Sequence, residues 1–267
     1  MSALTFELRS APDQRLDLGP LLPERLDGLK PKEIEALAIG TTRVPFSVGD
    51  GFKVTGTDAS DVRFTGTDAR CDKIGAGMTK GAIVVDGDTG AYLGAGMKKG
   101  KIEVSGSAGV LAGASMTGGS IAIAGDAGER AGGIHVGETL GMRGGVLAIG
   151  GNAGSLLGER MRRGLVIVGG DAGDYAGGRM VAGTILIKRR VGANAGFGLR
   201  RGTLILVEPP KDILPTFGDC GVLEFDYLRL LEHWLRAHDK PVNLGGRARR
   251  LMGDMSVLGK GEMLILA

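Results

Sequence analysis

The residues with a chemical pattern in this sequence are lysines and arginines that recur at one position of a repeated segment. Each follows, by one or two residues, a methionine or leucine that marks the start of a repeat. They are Lys80, Lys98, Lys99, Arg143, Arg162, Arg163, Arg200 and Arg201. No acidic residue occupies these positions in any repeat. If the repeats stack in register, the side chains form one cationic stripe, which would attract a polyanion in a salt-sensitive manner.

The length of this cationic stripe follows from the spacing of the repeats. Repeats begin at Met78, Met97, Met116, Met142, Met161, Met180 and Leu199, a period of 19 residues that seven extra residues interrupt once. Six steps of about 4.8 Å give about 29 Å, enough for roughly nine residues of an extended acidic peptide. An alternative is that these cations only keep the surface soluble and prevent strand edges from associating. The net charge of +3 and the lack of interleaved aromatic residues argue against nucleic acid as the polyanion.

The elements that must position the stripe are short strands bounded by glycines. Two aliphatic residues, two positions apart, recur in every repeat and therefore face the same side of a strand. These columns are Ile83, Ile102, Ile121, Leu147, Val166, Ile185 and Leu204, and Val85, Val104, Ile123, Ile149, Val168, Ile187 and Leu206. The chain has 50 glycines, many in a GxxGxxxG pattern that permits corners. This repeat predicts an all-β solenoid, a right-handed parallel β-helix with 19-residue coils.

Three segments are predicted along the chain. Residues 1–45 lack the glycine period and form an N-terminal cap, with an edge strand at residues 4–8 and a short helix at residues 31–38. Residues 46–207 form the β-helix, and residues 52–58 and 62–68 repeat each other as its irregular first coils. Residues 208–267 form a C-terminal cap, in which an amphipathic helix over residues 222–237 covers the open end of the solenoid or contacts a partner.

The sequence offers no catalytic constellation and no metal site. His135 lies in the seven-residue insertion, where a protruding loop suits a functional side chain, but no second catalytic residue accompanies it. Cys71 and Cys220 follow no metal-binding or redox spacing, so we expect reduced thiols. The six stacked methionines are expected to fill the core rather than bind copper. Without an apolar span or a signal-peptide pattern, a cytoplasmic location without membrane contact is expected.

The glycine register carries a family resemblance. Residues 106–113, GSAGVLAG, and residues 158–164, GERMRRG, resemble the β-helix of the C subunit in the formylmethanofuran dehydrogenase and formyltransferase/hydrolase complex family. The β-helix is also similar to the C-terminal domain of glutamate synthase. The resemblance covers about residues 50–207. It implies a scaffold subunit without catalytic residues, whose partners are hydrolase-like and formyltransferase-like chains that carry any metals.

Two kinds of complex contain such a subunit, and the resemblance leaves both open. One moves a formyl group from formyl-tetrahydromethanopterin through a methanofuran-type coenzyme to formate, a step of formaldehyde oxidation in one-carbon metabolism. The alternatives are a molybdenum or tungsten formylmethanofuran dehydrogenase and a structural β-helix protein like that of glutamate synthase. The excess of arginine over lysine, 21 to 12, favours the formyltransferase/hydrolase complex of bacteria.

The resemblance also implies a ligand for the cationic stripe. Methanofuran-type coenzymes carry glutamyl side chains, so all eight basic residues of the stripe are candidate coenzyme-binding residues. We expect the coenzyme to be held through its polyglutamyl tail without a covalent bond. Contacts with sister subunits are the competing use of the same side chains.

Overall fold

The structure is a computed structural model that describes residues 2–267 of the chain. The first elements are β1 (Ala3–Leu8), β2 (Leu16–Asp17), α1 (Pro23–Leu26), α2 (Pro31–Glu35), α3 (Val48–Gly51), β3 (Phe52–Thr55), β4 (Asp58–Thr67) and β5 (Cys71–Asp72). The helix predicted at residues 31–38 is thus present as the shorter α2. β2 and β5 form a two-stranded sheet, and every other strand belongs to one sheet of 13 strands.

The first strand lies inside the large sheet and not at its edge. β1 pairs in parallel with β4 on one side and antiparallel with β3 on the other, and Phe6 is fully buried. The predictions of an edge strand at residues 4–8 and of a first coil at residues 52–58 are therefore wrong. A ten-residue offset is too short for a crossover between parallel strands, so β3 runs antiparallel and covers the edge of β1.

Seven strands form the middle of the large sheet: β6 (Ala82–Gly87), β7 (Lys101–Val104), β8 (Ser120–Ile123), β9 (Arg143–Ile149), β10 (Arg163–Val168), β11 (Thr184–Ile187) and β12 (Arg201–Leu206). Each pairs in parallel with the next, so that Ile83 lies beside Ile102 and Ile102 beside Ile121. A second ladder of parallel bridges joins Thr89, Ala108, Ala127, Ala153, Ala172 and Val191. Two parallel ladders along the same repeats are consistent with the predicted β-helix.

The inward-facing side chains form one continuous core. All residues of the two predicted aliphatic columns are at most 3% exposed. The methionines that begin six repeats are fully buried with them, so the prediction that they fill the core is confirmed. From Gly100 onward, the glycine three positions after the start of a repeat makes room for the methionine of the previous coil. At Gly100, for example, a Cβ atom would lie 2.6 Å from Cε of Met78.

A ladder of polar side chains joins successive coils at one corner. The side-chain oxygen of Asp126 accepts a hydrogen bond of 2.6 Å from the backbone N–H of Asn152, at the same repeat position one coil later. The full ladder runs through Asp88, Ser107, Asp126, Asn152, Asp171 and Arg190. Glycine precedes every rung except the last, which follows Arg189. Four of these glycines make room for the acceptor of the previous rung: at Gly151, for example, a Cβ atom would lie 2.2 Å from Oδ1 of Asp126. The ladder therefore accounts for the first glycine of the GxxGxxxG pattern at Gly106, Gly125, Gly151 and Gly170.

Replacing Asp126 by alanine is expected to lower the free energy of unfolding by about 1–2 kcal/mol, because it leaves the N–H of Asn152 without its acceptor. Asp126→Ser should cost less, since Ser107 accepts the equivalent bond through its hydroxyl oxygen. The matched control is Glu129→Ala, an exposed acid outside the ladder, which should change stability by less than about 0.5 kcal/mol. Chemical denaturation measures all three, and equal losses for Asp126→Ala and Glu129→Ala would contradict the ladder.

After β12 the chain forms β13 (Gly218–Glu224), α4 (Asp226–Ala237), β14 (Arg247–Gly253) and β15 (Lys260–Leu266). β15 pairs in parallel with β12, and β14 and β13 follow in antiparallel order, so these strands end the large sheet. The helix predicted over residues 222–237 therefore begins later than expected, because residues 222–224 belong to β13.

The helix α4 packs on the outer face of the sheet. Its Leu228 and Leu235 are fully buried in a cluster with Ile167, Leu186 and Ile205. These strand residues point away from the inner columns, because side chains alternate along a strand. The expected position of the helix at the open end of the solenoid is therefore wrong. β10, β11 and β12 are aliphatic on both faces, and such strands need a cover on the outside as well as a core within.

Candidate functional site

The cations of the predicted stripe lie where the parallel strands begin. Arg143, Arg163 and Arg201 are the first residues of β9, β10 and β12. Arg163 and Arg143 are paired in the register of the sheet. Because parallel strands stack with their starts on one side, the structure places these basic residues along one side of the large sheet.

Two of the predicted residues already have acidic partners. The Nζ atom of Lys80 lies 2.9 Å from a carboxylate oxygen of Asp27, which follows α1. The guanidinium of Arg143 lies 3.6 Å from a carboxylate oxygen of Glu138, which belongs to the seven-residue insertion. These two cations are partly neutralised and are weaker candidates for binding an external anion.

The exposed Lys98 and Lys99 form a separate group. They have no salt-bridge partner among residues 2–267. The next coil carries Thr117 and Gly118 at the equivalent positions, and the coil after it carries the paired Arg143. Uncharged and neutralised coils therefore divide the stripe into two groups of free cations.

The second group surrounds one surface depression of about 530 Å³, which we call the four-arginine depression. Its cations are Arg162, Arg163, Arg200 and Arg201. The coil between the two pairs carries Val181 and Ala182 at the stripe position, which separates the pairs by two strand spacings, about 10 Å. All four arginines are exposed, and no acidic group of residues 2–267 lies within salt-bridge distance of them. Four unpaired positive charges around a small-residue floor favour an anionic ligand.

The structure adds three cations that the repeat pattern did not indicate. Lys260 of β15 pairs with Arg201 and continues the row of basic residues by one strand. Arg160 and Arg179 line an adjoining depression of about 300 Å³ together with Arg200. Lys260 belongs to a strand outside the repeats and has no signal in them. Arg160 and Arg179 directly precede a methionine, so inspection of both sides of the methionine column would have found them.

The remaining candidate groups form no catalytic arrangement among residues 2–267. The ring of His135 lies 5.3 Å from that of Tyr92, and its Nδ1 atom is 2.9 Å from the carbonyl oxygen of Val136. Burial raises the pKa of the Cys71 thiol to about 11, and Cys220 is exposed and unpaired. Within the described residues, no three His, Cys, Asp or Glu side chains cluster to hold a metal ion, and no helix has the length and apolarity to span a membrane.

Comparisons with known proteins agree with this architecture. A segment of 89 residues is 42% identical to the C subunit of the formyltransferase/hydrolase complex Fhc of Methylorubrum extorquens. This aligned segment covers 33% of the chain and about a third, 34%, of that relative's length. A chain in the crystal structure of the formyltransferase/hydrolase complex FhcABCD from the same organism, in complex with methylofuran, matches 98% of this chain. The match covers 99% of that chain, with 42% identity and a TM-score of 0.93.

The chain belongs to the family of formyltransferase/hydrolase complex C subunits. The family predicted from the glycine register is thereby confirmed. No family model matches the chain. Within this C-subunit family member, the four-arginine depression is the strongest candidate site, because its cations are exposed, adjacent and free of acidic partners.

Proposed function

We propose that this chain is the C subunit of a complex that moves a formyl group from formyl-tetrahydromethanopterin, through a methanofuran-type coenzyme, to formate. The observation that carries the proposal is the match over almost the whole chain to a subunit of the methylofuran-bound complex. The name of that complex favours the formyltransferase/hydrolase reaction over a molybdenum or tungsten dehydrogenase. In this proposal the chain is a scaffold, and its partners supply the hydrolase-like and formyltransferase-like sites and their metals.

Co-expression with the other subunits tests this assignment. We expect the full set to elute as one complex in size-exclusion chromatography and to release formate from formyl-tetrahydromethanopterin. Omission of this chain should leave the partners dissociated or inactive. A complex that assembles and turns over fully without it would contradict the scaffold role.

The part of the coenzyme that fits this chain is its acidic tail. When bound, the coenzyme supplies the amine that carries the formyl group between sites, whereas this chain binds and orients the tail. Arg162, Arg163, Arg200 and Arg201 fit carboxylates because they are exposed, positively charged and without internal acidic partners. Guanidinium groups bind carboxylates through two parallel hydrogen bonds, which suits a chain of glutamyl side chains.

The remaining cations of the stripe contribute unequally to binding of the tail in this proposal. Lys98 and Lys99 extend the track for a long tail, and Lys80 and Arg143 contribute less because Asp27 and Glu138 already pair with them.

The scaffold itself is proposed as a right-handed β-helix with 19-residue coils. We place it at residues 46–207, between caps at residues 1–45 and 208–267. We propose a cytoplasmic location for the assembled complex.

A further inference from the structure

A second depression of the surface, outside the predicted stripe, contains a carboxylate that lacks a hydrogen-bond partner. This Glu159 depression has a volume of about 570 Å³. The carboxylate belongs to Glu159, which is only 6% exposed. Its Oε2 atom has no hydrogen-bond donor within residues 2–267. A buried acceptor without a donor is unfavourable unless something supplies the missing hydrogen bond. The position is unusual within the repeat, because the equivalent residues are Ala95, Ala114, Gly133, Gly178 and Phe197.

The charges around Glu159 balance within the depression. Nη1 of Arg179 lies 3.4 Å from Oε1 of Glu159, and Nε of Arg130 lies 3.9 Å from Oε2, beyond hydrogen-bond distance. Asp174 also lines the depression, and its carboxylate accepts the backbone N–H of Ala193. Two basic and two acidic side chains therefore cancel in formal charge, which favours a neutral occupant over an ion.

Two aromatic rings form another part of the wall. The rings of Tyr175 and Phe197 meet edge to face, with centroids 6.0 Å apart, and the guanidinium of Arg179 lies 5.9 Å from the centroid of the Phe197 ring. Tyr175 is 39% exposed and Phe197 is 42% exposed. Aromatic surface of this kind binds a planar ring through edge-to-face or offset stacking. The free carboxylate oxygen would then accept a hydrogen bond from that ring.

We propose that the Glu159 depression binds a small, neutral aromatic molecule whose ring carries an N–H or O–H donor. The rings of Tyr175 and Phe197 supply stacking surface, and Oε2 of Glu159 accepts the hydrogen bond. Binding sites commonly combine an apolar wall with a few such placed polar groups. A site that contains an unpaired acceptor rejects an analogue without the donor more strongly than its shape alone would.

Indole and benzofuran are the probes that test this site, because they share a shape and differ in the N–H group. We expect indole to bind the full-length chain saturably and benzofuran to bind about tenfold more weakly. Titration followed by the amide NMR signals of Tyr175 and Phe197 gives both dissociation constants and locates the probe. Equal affinities, or no saturable shift of these signals with indole, would overturn the proposal.

Variants distinguish the contribution of the carboxylate to binding from that of the aromatic wall. Glu159→Gln keeps the shape and should reduce the preference for indole over benzofuran. Tyr175→Leu should weaken the binding of both probes severalfold. Tyr92→Leu is the matched control, since Tyr92 occupies the same repeat position with a positive φ of 64°, close to the 59° of Tyr175, and should leave both constants unchanged. If Tyr92→Leu weakens the binding of indole as much as Tyr175→Leu does, the assignment of the binding site to this depression is wrong. The ratio of the two probes in the unmodified chain tests the proposal even if a variant fails to fold.

A side chain of a partner subunit is the competing occupant. Indole is therefore also titrated into the assembled complex of co-expressed subunits. Binding with the affinity of the isolated chain supports a small-molecule site. Loss of indole binding on assembly would overturn the proposal, because the depression would then belong to an interface between subunits.

Discussion

Replacing Gly100 by alanine is expected to lower the free energy of unfolding by about 3–5 kcal/mol. The added Cβ atom would lie 2.6 Å from the carbonyl oxygen of Gly81 and 2.6 Å from Cε of Met78. That carbonyl oxygen accepts the backbone N–H of Lys101, so it cannot move without breaking a bond between coils. Overpacking alone costs about 1–3 kcal/mol or more, and a φ of +97° adds about 1–2 kcal/mol for a residue with a Cβ atom.

Gly96→Ala is the matched control for this substitution. Gly96 also has a positive φ, of +66°, but no heavy atom lies within 4 Å of the position that its Cβ atom would occupy. We therefore expect a loss of only about 1 kcal/mol, from the backbone conformation alone. Chemical denaturation compares the two variants, with the free energy of unfolding taken to fall at the same slope with denaturant concentration in both. If both variants lose the same free energy of unfolding, the close approach of coils at Gly100 is contradicted, and the loss is due to the positive φ alone.

The contact between methionine and glycine shows what the period of a repeat does and does not reveal. The sequence shows that both residues recur every 19 positions, and alternation is sufficient to predict the aliphatic columns. It does not show that the methionine of one coil packs against the glycine of the next. The structure supplies this pairing between coils, with Met78 against Gly100 and Met97 against Gly119.

The polar ladder escaped prediction because its members differ in chemistry. If only charge is compared, the column that contains Asp88, Ser107 and Asn152 looks variable. The shared property is a short side chain with an acceptor oxygen, which reaches the backbone of the next coil. Comparison of hydrogen-bonding capacity, rather than charge, would have identified it.

The caps were predicted less well than the coils because they lack a repeat. Amphipathic spacing correctly indicates α4, but it does not say which apolar surface the helix covers. The aliphatic residues on both faces of β10–β12 were the available signal, since Ile167 and Leu186 point outward and need a cover. For the same reason Lys260 was missed, because its pairing with Arg201 follows from the course of the C-terminal chain.

The proposed site makes its largest prediction for the double variant Arg162→Glu with Arg200→Glu. It removes one cation from each side of the four-arginine depression and adds two negative charges. A hydrogen bond to a charged group contributes about 1.5–3 kcal/mol, and solvent exposure reduces this value. We therefore expect at least about a tenfold loss of affinity for a methanofuran-type coenzyme with a glutamyl tail. Titration of the assembled complex depleted of coenzyme measures the change.

Salt dependence and a charge-matched control identify the cause of this loss. Lys32→Glu with Lys211→Glu changes the net charge equally, and both side chains are exposed outside the four-arginine depression. This control should retain nearly full affinity. The affinity of the unmodified complex should fall with added salt more steeply than that of the arginine variant, because fewer favourable charge contacts remain to be screened. Unchanged affinity in the arginine variant would remove the tail-binding role. Impaired assembly with a normal coenzyme content per assembled complex would instead assign these arginines to an interface between subunits.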